Sequence, residues 1–170
     1  MRYVIASAID ELCTAFDRNG YNPTPIIDLG VLVASADGKV DSREREMLLD
    51  VFQTLLDTTL TAEVVDHLVT ASLEVIELAG AESRGRMVAA ILRDCDAVEP
   101  GVRVAIALAF ASQGLTKAER AVVERISSAG GLSSARLGEI IEEVRAHAVE
   151  IGDPTSVRNS IAPFRTPDDA

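Results

Sequence analysis

Tryptophan is absent from this 170-residue sequence, and aromatic residues make up only 4% of it. A core cannot be organised around rings, so the hydrophobic 48% must fill it with Leu, Ile, Val and Ala, which favours helix packed on helix. Cysteine is scarce as well. Cys13 and Cys95 form neither a CxxC pair nor a zinc-like spacing, and both read as reduced, small buried hydrophobes. Positive charge is short, with 16 Lys and Arg against 27 Asp and Glu and a net charge of −11. That balance argues against nucleic acid and anionic membrane surfaces, whose binding comes from basic side chains. Long apolar runs are missing too. The longest uncharged one, VAIALAFA at 104–111, falls far short of the roughly 20 residues that cross a bilayer. Asp10 and Glu11 interrupt any would-be signal segment. No membrane insertion and a cytoplasmic location are therefore expected.

Catalytic patterns are equally thin. There is no G-x-S-x-G elbow, no S-x-x-K, no phosphate-cradling loop and no G-x-G-x-x-G after a strand. His67 and His147 have no Cys or second His within one helical turn and read as surface or satisfied histidines. A non-enzymatic protein is expected.

What is present is helical periodicity, without a convincing period-two run of β-branched residues. The expectation is an all-α, single-domain bundle of seven to eight helices over residues 1–151, followed by a polar, proline-containing tail at 152–170. Helices are expected at about 3–18, from Pro23 and Pro25 through the apolar IIDLGVLVASA, and at 42–57. Others follow at 61–79, 82–94, from Pro100-Gly101 onward, at 117–129, and from Ser133 to about 151. The tail reads as a frayed or surface-draped end, although Ile161 and Phe164 are suited to docking in a groove.

The two almost wholly apolar helices point to an internal pseudo-two-fold repeat, with halves at about 24–80 and 100–150. Setting Gly38 against Gly114 pairs Leu32 with Leu108 and Ala36 with Ser112. One deletion later Val40 pairs with Leu115, Asp41 with Thr116, Glu44 with Glu119, and Met47-Leu48 with Val122-Val123.

The stretch SADGKVDSREREML, 35–48, gathers Asp37, Asp41, Glu44 and Glu46 around a glycine turn. Asp41-x-x-Glu44 and Thr116-x-x-Glu119 both fit the capping box, with Gly38 and Gly114 supplying the turn before it. Capping leaves Asp37 unexplained, since its counterpart is Gln113. Asp37, Asp41 and Glu44 are thus candidate hard-oxygen ligands for Ca²⁺ or Mg²⁺. The loop is no EF-hand, because Gly38 directly follows the first acid, and carboxylates at a helix N-terminus are also favoured by the macrodipole alone. Asp28, inside an apolar helix, needs a basic partner, solvent or a proton. Nine residues before Asp37, it lies about 13 Å away along a helix, too far to join the same site. The REREM run at 43–47 and the EEVRAHAVE run at 142–150 read as solvated faces.

LVASADGKVDSREREMLLDVF resembles the core signature of TerB-like (tellurite-resistance TerB) domains: an apolar helix running into Ala-Asp-Gly, a small or acidic cap, and a glutamate three residues later. The degenerate second copy, LAFASQGLTKAERAVVERI, resembles that family's internal duplication, and the likeness spans about 24–150. The resemblance implies a cytoplasmic bundle of about seven helices, linked to tellurite or other chemical stress, that binds divalent metal through its acidic residues. Carried over here, those are Asp37, Asp41 and Glu44, while Gln113 puts a symmetric second site in doubt. The alternative is a metal-free helical interaction or scaffold domain, engaging a protein partner or a second copy of itself as monomer or homodimer.

Overall fold

Phe16 closes the apolar stripe of the first helix, α1 (Arg2–Arg18), in which Ala8, Ile9, Leu12, Ala15 and Phe16 recur at helical spacing and are all buried. Gly20, at φ 75°, stops it, and Tyr21 N–H and Gly20 N–H close back onto the carbonyls of Phe16 and Asp17 at 2.9 and 3.1 Å. Seven further helices follow in this computed structural model, which describes residues 2–56, 60–112 and 114–152. They are α2 (Thr24–Ala34), α3 (Ser42–Leu55), α4 (Ala62–Ala79), α5 (Ala81–Asp94), α6 (Val98–Ser112), α7 (Lys117–Gly130) and α8 (Ser134–Gly152). The protein is an all-α helical bundle, with no strand among the described residues. Gln113 and residues 153–170, including Ile161 and Phe164, lie outside them.

Two helices occupy the middle because their sequences leave them no polar face. Every residue of α2 from Pro25 to Val33 is buried, and so are Gly101, Val102 and 104–109 of α6. α2 and α6 pack on one another. α1, α7 and α8 cover α6, while α3, α4 and α5 cover α2. Gly30 permits the central crossing: a Cβ there would sit 2.5 Å from Phe52 Cζ on α3 and 3.1 Å from Leu108 Cδ1 on α6.

The expected two-fold repeat is not established by this packing. α3 and α4 stand to α2 as α7 and α8 stand to α6, and α1 lies on α6 as α5 lies on α2. α5 also runs along α7, however, and no comparable packing joins α1 to α3 among the described residues.

α6 starts at Val98, ahead of the expected Pro100-Gly101. Proline in the first turn lacks only an N–H that would have no helical acceptor, so the helix begins before it. Asp96, at φ 52°, turns the chain from α5 into α6.

Candidate functional site

The turn from α2 into α3 is held by its backbone. Ala36 N–H donates to Val33 O at 3.1 Å and Gly38 N–H to Ser35 O at 3.2 Å, with Gly38 at φ 145°. Asp41 then caps α3. Its Oδ1 accepts from Glu44 N–H at 2.8 Å, and Glu44 Oε2 accepts from Asp41 N–H at 2.9 Å. The second copy is built alike: Thr116 Oγ1 accepts from Glu119 N–H at 3.2 Å, and Glu119 Oε2 accepts from Thr116 N–H at 2.8 Å. Both capping boxes read from the sequence are formed. Glu44 and Glu119 also line one small cavity together with Gly30, Met47 and Leu108.

Asp37 stands apart from this arrangement, exposed on the turn with no hydrogen bond or ion pair of its own among the described residues. Asp41 and Glu44 each commit one oxygen to a backbone N–H. Among the described residues no group of three or more His, Cys, Asp or Glu side chains is placed to hold a metal ion.

Asp28 has the basic partner its position demands. Buried on α2 at 2% exposure, it accepts from Arg84 Nη2 of α5 at 2.8 Å and from Ser72 Oγ of α4 at 2.7 Å. Arg84 Nε is buried without a hydrogen-bond partner. His67 and His147 are exposed, each with Nδ1 on the main-chain oxygen one turn back, Glu63 at 2.7 Å and Glu143 at 2.8 Å. Cys13 and Cys95 are both free thiols, and burial pushes each above the ordinary thiol value.

The two charged runs are not wholly solvated faces, because part of each ties helices together. Arg45 of α3 reaches α4, with Nη2 3.0 Å from Asp66 Oδ1 and 2.8 Å from Thr70 Oγ1. Glu143 of α8 meets Arg103 of α6 at 2.6 Å and Arg136 at 3.1 Å. Arg136 in turn clamps Glu99 of α6 with two bonds of 2.7 and 3.0 Å. The Arg136 guanidinium holds the Glu99 carboxyl below its ordinary range, and Arg103 does the same for Glu143.

Two depressions went unread in the sequence. One, of about 550 Å³, runs between α5 and α7 over Ala81, Gly85, Ala121, Val122, Ile126 and Ala129, with Glu82, Arg86, Glu124 and Arg125 along its edges. Its one sequence signal is Gly85 in the middle of a helix, where a Cβ would meet nothing nearer than Ile126 Cγ1 at 3.8 Å. Neither backbone conformation nor close packing requires a glycine there. The other, of about 670 Å³, lies between α1, α6 and α8.

The chain matches no family model, no curated protein and no solved structure. A helical bundle by itself specifies no function.

Proposed function

We propose that the chain is a non-enzymatic, TerB-like helical module of a chemical-stress response, which acts by seating a helix of a partner protein in the α5–α7 groove. Gly85 carries this reading. A glycine inside a helix costs about 0.5–1 kcal/mol relative to alanine, and here a Cβ would make ordinary contact with Ile126 Cγ1 at 3.8 Å, so packing does not demand the glycine. The floor is apolar and small, and both edges carry charges of both signs, Glu82 and Arg86 on α5 and Glu124 and Arg125 on α7. Leu78, three residues before Ala81 of the groove in sequence, is 88% exposed at the end of α4. Those features suit a helix with apolar residues at i, i+4 and i+7 flanked by mixed charges. Titrating the ¹⁵N-labelled protein with a synthetic helix of that design, Leu in the stripe and Glu and Lys beside it, tests the reading. Amide shifts confined to α5 and α7 support it, and an unchanged spectrum rejects it.

A second reading keeps the Asp37 turn as a divalent-cation site. It is favoured by Asp37 itself, an exposed carboxylate that the cap does not use. Asp41 and Glu44 would contribute their oxygens outside the capping bonds. An ion bound to the folded chain alone raises stability as RT ln(1 + [L]/Kd). Melting in EDTA, Ca²⁺, Mg²⁺ and Mn²⁺ decides it, since a shift that persists in Asp37→Ala, or no shift with any ion, removes the site.

A further inference from the structure

The cleft between α1, α6 and α8 has an apolar floor of Ala8, Pro100 and Val144 and a rim bearing Glu11, Glu99, Glu143, Arg103 and His147. Glu99 is clamped by Arg136, Glu143 is bridged by Arg103 and Arg136, and Glu11 is exposed with no partner among the described residues, so three carboxylates face two guanidinium groups around the opening. An occupant should therefore bring apolar side chains for the floor and cations for the rim.

The same chain carries a segment of that composition just beyond α8. Residues 154–167, PTSVRNSIAPFRTP, contain Arg158 and Arg165 and no acid, although the whole chain has a net charge of −11. Ile161 and Phe164 lie between the two arginines. The distances allow the meeting. α8 supplies Glu143, Val144 and His147 to the cleft and ends at Gly152, about 7.5 Å past His147 at helical rise. The 12 residues from Gly152 to Phe164 can reach at most about 40 Å.

We propose that residues 158–165 of this chain fold back onto the α1–α6–α8 cleft, with Ile161 and Phe164 on the Ala8, Pro100 and Val144 floor and the flanking arginines on Glu11 and its neighbours. A tethered segment acts at an effective concentration near the millimolar range, so modest affinity suffices to keep the cleft covered. The site is separate from the α5–α7 groove, and either assignment can fail alone.

The test uses the full chain. Wild-type protein is expected to show nuclear Overhauser contacts from the Phe164 ring to the methyls of Ala8 and Val144. The double substitution Ile161→Asp/Phe164→Asp changes no residue of the eight helices and is expected to abolish them while shifting the amides of Glu11, Arg103 and His147. A synthetic peptide of residues 154–167 should then bind the double variant at least about tenfold more tightly than wild type, whose cleft is already occupied. Substituting Glu11→Arg should weaken that peptide binding. The proposal is overturned by identical wild-type and variant spectra at the cleft, by peptide binding equally to both proteins, or by Phe164 contacts to Gly85 and Ile126 instead.

Discussion

Arg84 Nη2 lies 2.8 Å from Asp28 Oδ2, joining α5 to the buried centre of α2 across 56 residues of sequence. With Ser72 Oγ of α4 on the other carboxylate oxygen, three helices share one buried polar contact. Removing one member of such a pair leaves the other uncompensated. Arg84→Met should therefore destabilise by about 3 kcal/mol, and Asp28→Leu combined with Arg84→Met should recover much of that loss. Urea unfolding of both variants measures this; equal losses would show that the pair is not coupled.

The two capping boxes should behave alike under substitution although their cap residues, Asp41 and Thr116, differ. Asp41→Ala and Thr116→Ala are each expected to cost about 0.5–2 kcal/mol. Asp37→Ala, which removes an exposed carboxylate outside the cap, should stay within about 0.5 kcal/mol in the absence of divalent ions. Thermal melts in EDTA provide the comparison, and a large loss in Asp37→Ala would contradict the assignment of capping to Asp41 and Glu44 alone.

Gly30 is a packing requirement. Alanine there would drive its Cβ to 2.5 Å from Phe52 Cζ and against Leu108, so Gly30→Ala should cost about 1–3 kcal/mol by overpacking. Adding Phe52→Leu should return part of it. Denaturant midpoints of the single and double variants decide.

Acid should loosen the contact between α6 and α8. Glu99 and Glu143 are held below the ordinary glutamate value of 4.5 by Arg136 and Arg103, so their contribution is full above that pH and fades as pH falls through the lowered folded values. Stability should thus be level in this respect above about pH 5 and decline below about 4.5. Replacing Arg136 with Met should flatten that decline. An unchanged acid limb in the variant would mean that other carboxylates set it.

Much of this fold was legible because its cues are local. Glycine and proline punctuate the helices, Ser133 Oγ accepts from Arg136 N–H at 3.2 Å as a predicted cap, and both glutamates of the capping boxes reach back as their spacing requires. Asp28 also announced a need, since an apolar helix cannot leave a carboxylate unpaired. Which residue meets it was not legible, because the approach of Arg84 depends on how α5 lies over α2. The charged runs misled for the same reason. Arg45 and Glu143 look like surface residues until a neighbouring helix supplies Thr70 or Arg103. The α5–α7 groove left only Gly85 as a trace, since a gap between helices has no sequence period of its own.

The most direct measurement compares the stability and helix binding of wild type, Gly85→Ala and Gly85→Leu. If the glycine keeps a docking groove open, Gly85→Ala should raise stability by about 0.5–1 kcal/mol. Gly85→Leu should fill the groove and weaken binding of the synthetic amphipathic helix at least about tenfold, with the fold intact by amide spectra. Unaltered affinity in Gly85→Leu, or a loss of stability in Gly85→Ala, would contradict the account.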